Sequence, residues 1–390
     1  MRRWTAAAVL TLTMCTACSA DEGAGRPAGE ESAGPGWRPV AASPLGARVD
    51  AAAVPVGGEV LVVGGHRRPC APNASCSPPP LLDGAAAYDV AADRWRRIAE
   101  PPVKVRWWST AVVGGEVLAV ASTDQGVTLL AYSVAADRWT RPPAPPDVGG
   151  VRLVAAGDRV VAYRSRSGRR PPPDRLRDPR SGAWSELPAD PLGSLIERTM
   201  VQVAPDRLVL TGVPTDDASG DRGAPLYRAA LLDLSTLTWR RFPTSEVLFS
   251  QSTWRAVGTG DGVRVVNPTG GSWDGDGRFD RTYRASGVLD PFRGVWSPLA
   301  EPPELRHDLD PRIPAVAGGG LLVDDGHVLD VGTGAWRPLE PPRALRAVEQ
   351  GVAVWAGDRL FVWGGLRRSS DGSDGSEGAE LLSTGWTWRP

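Results

Sequence analysis

The sequence predicts an all-β fold, a seven-bladed β-propeller of four-stranded antiparallel blades, and three observations carry that expectation. Trp37, Trp95, Trp139, Trp184, Trp239, Trp296, Trp336 and Trp388 recur at intervals of 58, 44, 45, 55, 57, 40 and 52 residues, which divides the chain into seven similar units. A short phrase returns in front of most of them, and each unit carries a second, upstream turn followed by an apolar run. Among 390 residues, 46 glycines and 37 prolines argue against long helices.

The phrase is Tyr88-Asp89 before Trp95, Leu232-Asp233 before Trp239, Leu289-Asp290 before Trp296 and Leu329-Asp330 before Trp336. Asp178 before Trp184 and Tyr132-Ser133 before Trp139 keep the same offset. An Asp there bonds its own backbone and starts a turn, the apolar residue before it ends one strand, and the Trp lies on the next. The upstream turns are Gly57-Gly58, Gly114-Gly115, Gly157-Asp158, Pro205-Asp206, Gly260-Asp261, Gly318-Gly319 and Gly357-Asp358, the short Gly- and Asp-rich kind that tight hairpins need. Runs such as Val60-Leu61-Val62-Val63 and Leu360-Phe361-Val362-Trp363 are apolar on both faces, as strands buried between layers are. Two hairpins per unit make four strands, the blade of a propeller. Trp37-Arg38-Pro39 and Trp388-Arg389-Pro390 read as two copies of one outer strand. One of them completes the seventh blade, with the N-terminal strand pairing there with C-terminal strands, because an open ring would expose strand edges.

Gly64-Gly65 with Tyr88 and Trp95 resembles the kelch motif, an apolar strand ending in a Gly pair, then Tyr, six residues and Trp. Gly364-Gly365 repeats the pair in the last unit, and the resemblance covers residues 37 to 390. The middle units depart from it, with Ala121-Ser122, Gly212-Val213 and Asn267-Pro268 near where the pair belongs. WD40 repeats fit less well, since their signature dipeptides are missing at this spacing. Galactose oxidase shares the kelch propeller, and that resemblance would imply copper held by two His and two Tyr with a Tyr–Cys crosslink. No such constellation is found, and neither a cofactor nor a metal is expected.

At the N-terminus, Arg2 and Arg3 precede an apolar stretch from Trp4 to Met14, the layout of a secretory signal and too short for a permanent span. Cys15-Thr16-Ala17-Cys18-Ser19 resembles the lipobox of bacterial lipoproteins, with Cys15 where an aliphatic residue is usual. This implies removal of residues 1–17, lipidation of Cys18 and a tether over 18–36, rich in Ala, Gly, Glu, Pro and Ser. A cut before Cys15, or plain secretion, is the alternative. The expected location is the outer face of the cell membrane, held by the lipid anchor alone, as a monomer. Cys70 and Cys76 share a Pro-rich loop, and in an oxidising compartment a local disulfide is the simplest reading, worth about 2 kcal/mol.

A balance of 44 basic against 45 acidic side chains argues against nucleic acid as the partner. Long connections between second and third strands, at 66–84, 164–177, 212–226, 267–283 and 366–380, share a face with the crossovers between blades, and binding usually lives on such loops. The starts of the innermost strands open onto that face, bringing Arg48, Arg106, Trp107, Trp108, Trp254 and Arg306 near the channel, with Trp273 in one long loop. Indoles and guanidiniums suit sugars, aromatic compounds or carboxylates, while the same tryptophans equally serve as packing between blades. The arginine-rich segment from Arg164 to Arg180 reads either as an anion site or as a solvated loop. Asp274, Asp276 and Asp280 lack the regular calcium-loop order, and Ser122–Thr128 mimics a sialidase Asp-box only once. The three histidines, His66, His307 and His327, fall in different units without metal-ligand spacing, and there is no Gly-x-Ser-x-Gly elbow. The function expected is a binding or scaffold module for a glycan, cell-wall fragment or protein. The competing class is a carbohydrate-active enzyme such as a sugar mutarotase or lyase, marked by converging carboxylates of raised pKa at the channel mouth.

Overall fold

A computed structural model describes residues 36–67, 80–123, 125–165, 172–215, 227–245, 255–259, 262–267, 272–273, 279–280, 287–299, 313, 315–324, 326–345, 348–368 and 379–390. Cys18, Cys70, Cys76, Trp254, Arg306, His307, Asp274, Asp276, the signal and the tether up to residue 35 lie outside them.

Four-stranded antiparallel sheets recur along the described chain, all but the last built from two hairpins. Blade 1 is Ala52–Val56, Glu59–Val63, Ala85–Asp89 and Arg94–Arg97. Blade 2 is Arg106–Val113, Glu116–Thr123, Gly126–Ser133 and Arg138–Thr140. Blade 3 is Val151–Ala156, Arg159–Arg164, Arg175–Arg177 and Trp184–Glu186. Blade 4 is Leu195–Ala204, Arg207–Pro214, Arg228–Asp233 and Thr238–Arg241. Blade 5 is Arg255–Thr259, Gly262–Asn267, Gly287–Asp290 and Val295–Pro298. Blade 6 is Val316–Gly318, Leu321–Asp324, His327–Asp330 and Ala335–Pro338. Blade 7 runs Val352–Ala356, Arg359–Trp363, Gly385–Trp388 and then Trp37–Pro39 from the other end of the chain. The first strands neighbour one another in this order, and that of blade 7 lies beside that of blade 1, so the all-β arrangement is propeller-like and closed.

The expected N-to-C pairing is present, but the two Trp-Arg-Pro segments are not copies of one strand, since Trp37–Pro39 pairs with Trp386–Trp388. Trp388 lies between Leu360 and Trp37 in the ladder, where Tyr88 lies between Val60 and Trp95 in blade 1. The last repeat tryptophan is thus a third-strand residue in the tyrosine's place, and Trp37 supplies the fourth strand. A second correction concerns blade 6, whose first turn is Gly319-Gly320, at φ 59° and 81°, with Gly318 ending the strand. The ring of Trp355 from blade 7 occupies the space a side chain at Gly318 would need, so packing rather than turn geometry demands glycine there.

The second strands are buried on both faces, as their unbroken apolar runs predict. Leu61 and Val63 pack with Val117, Leu130 and Tyr132 of blade 2, while Val60 and Val62 pack with Phe361 and Trp363 of blade 7. The capping residues of the outer hairpins also act as read. Asp89 accepts from the amides of Ala91 and Ala92, Asp178 from Arg180 and Ser181, Asp290 from Phe292 and Arg293, and Asp330 from Thr333. Gly64 and Gly364, at φ 68° and 69°, bring backbone against the carbonyls of Val105 and Arg48, each at the approach to the next blade round the ring.

Candidate binding face

The tryptophans of the repeat are accounted for first, because they clamp blade to blade. The indole N–H of Trp95 donates to Ala41 O at 2.9 Å, Trp139 to Ala99, Trp184 to Pro143, Trp239 to Pro188 and Trp296 to Pro243. Each acceptor lies just beyond the fourth strand of the preceding blade. In blades 1 and 2 the clamp is doubled. Asp93 accepts from the amide of Ala41 and the hydroxyl of Tyr88, and Asp137 from the amide of Ala99 and the hydroxyl of Tyr132, at 2.7–2.8 Å. Burial and the bond to Asp137 push the Tyr132 phenol up to about 12. The signal for this latch was the phrase Ala-Ala-Asp-Arg-Trp, which ends at both Trp95 and Trp139.

The inner strands follow another logic. Four successive blades carry an arginine near the start of the first strand: Arg106, Arg152, Arg198 and Arg255. Arg198 sits in a bulge between Ile196 and Thr199, next to Glu197 at φ 54°, and the extra residue swings its side chain off the ladder. Its guanidinium grips Asp174 with both arms, at 3.1 and 2.7 Å, holds Asp190 at 3.1 Å and donates to Arg164 O at 3.0 Å. Burial disfavours charge on Arg198, but the two carboxylates more than offset it and raise its pKa, while burial lifts that of Asp174 against the pull of Arg198. Burial also raises the Tyr163 phenol, which lies within electrostatic reach of Arg152, Arg198 and Asp174. Burial lowers Arg255; Asp324 and Tyr163 oppose this and Arg152 adds to it.

The expected site residues divide. Arg48 is 4% exposed and turned inward, bonding the carbonyls of Gly46, Gly64 and Asp83, with its pKa lowered to about 10 by burial and then by Arg67 and Arg97. Arg106 is half-buried at the head of its strand, and a bulge follows at Trp107 to Ser109. Trp107 and Trp108 lie on that strand and Trp273 on a short strand, Ser272–Trp273, within the blade 5 loop, all with side chains outside the described part. Arg152, Arg198 and Arg255 were missed, since in a chain with so many arginines a single one carries no signal. The segment from Arg164 to Arg180 is partly a pairing surface, with Arg175 on Glu186 and Arg177 on Glu116. His66 is buried with Nε2 at 2.9 Å from Asp50, and His327 lies edge-on to Trp336.

An open cleft of about 320 Å³ lies over blade 3, walled by Pro145, Pro146, Tyr163, Pro172, Pro173 and Asp174. Among the described residues no group of three or more His, Cys, Asp or Glu is placed to hold a metal, and no helix is long and apolar enough to cross a membrane. No protein-family model matches the chain, and no curated protein matches it significantly.

Proposed function

We propose that the chain is an exported, lipid-anchored binding module, a kelch-like propeller that grips its ligand on the loop-rich face at the channel mouth. The observation that carries this reading is the division of labour between the two edges of the ring. The outer edge is spent on clamps, whereas the inner edge carries Arg106 beside a bulge and Arg152 exposed, neither of them paired with a carboxylate among the described residues. The kelch reading is supported by the two Gly pairs, and the anchor by the basic pair, apolar stretch and Cys18 of the N-terminus.

The enzyme reading drew on carboxylates of raised pKa; Asp174, whose pKa burial raises, is held in both arms of Arg198. That makes it a strut rather than a proton donor. The test is thermal unfolding of the full chain against neutral sugars, cell-wall fragments and small anions. A ligand at a hundred times its Kd stabilises by about 2.7 kcal/mol and raises the midpoint. Turnover of a sugar in the same panel would replace the binding reading with the enzyme. Cys18→Ser should move the protein from the membrane fraction to the medium, and unchanged fractionation would overturn the anchor.

A further inference from the structure

The inner edge holds two guanidiniums that pair with no carboxylate among the described residues. Arg152 is exposed on the first strand of blade 3, directly opposite Tyr163, and no carboxylate pairs with it among the described residues. Arg106, on the neighbouring strand of blade 2, has its Nε shut off from water with no acceptor among the described residues, a state that native structures rarely leave unfilled. The two strands are stitched together where the Leu153 amide donates to Ser109 Oγ at 2.7 Å. Arg106 therefore stands three residues along from the serine that bonds the residue after Arg152. From blade 5, Arg255 adds a third guanidinium, placed by its bond to Ala315 O and within electrostatic reach of Asp324, Tyr163 and Arg152.

Arg198 shows what such a position takes when the fold fills it. On the blade between Arg152 and Arg255, its two terminal nitrogens are taken by a two-armed carboxylate and by a second carboxylate at 3.1 Å, while its Nε, like that of Arg106, has no partner among the described residues. Planar, two-armed recognition of oxyanions is what a guanidinium does best. We propose that Arg152 and Arg106, on neighbouring strands, form a receptor for a small oxyanion, a carboxylate- or phosphate-bearing ligand, at the channel mouth. The inference rests on the binding reading above and names the ligand class for that face. A bound anion would also relieve the like-charge repulsion from Arg152 that adds to the lowering of Arg255 by burial.

The test is calorimetric titration of the full chain with citrate and with inorganic phosphate, with glucose as the neutral control. Citrate or phosphate should bind and glucose should not, and binding should weaken as salt rises. Preference for citrate or for phosphate assigns the carboxylate or the phosphate source. Arg152→Ala should weaken binding about ten-fold, equal to about 1.4 kcal/mol, with an unchanged melting midpoint because its side chain is exposed and unpaired. Arg152→Glu should abolish binding, Arg106→Gln should weaken it independently, and Arg94→Ala, on an outer hairpin, should leave it intact. Equal affinity in wild type and Arg152→Ala would overturn the proposal, as would wild type that takes up neither anion. A neutral cell-wall saccharide binding where both anions fail would sink this inference and leave the binding module standing. Silence across every ligand class would remove both.

Discussion

The outer and inner edges of the ring obey different rules. At the outer edge, the tryptophan clamp recurs in blades 1 to 5 with nearly constant length, 2.7–2.9 Å, and its acceptor always follows the fourth strand of the preceding blade. At the inner edge no two of the described arginines make the same contacts. Arg198 binds two carboxylates, Arg255 reaches the carbonyl of Ala315, and Arg152 pairs with no carboxylate among the described residues. A contact repeated over five successive blades is architecture, and one that differs from blade to blade is free to be specific.

The largest expected effect lies where the inner edge is filled. Arg198→Ala strands Asp174 and Asp190 in a buried site and should cost about 3–5 kcal/mol in denaturant unfolding. A cost below about 1 kcal/mol would show the cluster to be slack and the two edges less different than the contacts suggest. The outer edge is divided over many similar clamps, so one should matter less. Trp139 is half-buried, and Trp139→Ala should cost about 2–3 kcal/mol, below the range for fully buried aromatics. Trp139→Phe keeps the ring and loses the bond to Ala99, for about 1 kcal/mol. If Phe is as harmful as Ala, the hydrogen bond rather than packing carries the clamp.

The two edges were unequally legible in the sequence, for the same reason. Repetition exposed Trp95, Trp139, Trp184, Trp239 and Trp296 and the turn-capping Asp89, Asp178, Asp290 and Asp330, because a periodic contact leaves a periodic letter. Trp388 misled because an indole can replace the Tyr88 phenol in a third strand without breaking the period. Gly318 misled because a glycine required by the ring of Trp355 looks like one required by a turn. Arg198 left no signal at all, since its partner Asp174 belongs to the loop before the third strand of blade 3, and only a bulge brings the two together. Gly318→Ala tests the packing account. It should cost about 1–3 kcal/mol through overpacking against Trp355, whereas Gly57→Ala, with open space around it, should show only the smaller penalty of a positive φ.

The smallest effect separates the doubled clamps from the single ones. The Asp137 carboxylate is held below its ordinary value, 3.8, first by the Ala99 amide, with the Tyr132 hydroxyl and Arg96 adding to this against some desolvation. A carboxylate whose pKa is lowered in the folded state stabilises above its unfolded pKa and loses that contribution as the pH falls through the folded one. Wild type should therefore lose stability more steeply than Asp137→Asn below about pH 4, where the unfolded carboxylate takes up its proton. Above pH 5 the difference between the two should be constant and below about 1 kcal/mol, because the group is exposed. Blade 4 has Leu237, at φ 54°, where blade 2 has Asp137. Leu237→Asp should import the latch and steepen the acid limb. If it does not, the latch depends on the Tyr132 hydroxyl, whose place in blade 4 is taken by Leu232, and Leu232→Tyr with Leu237→Asp should then restore it.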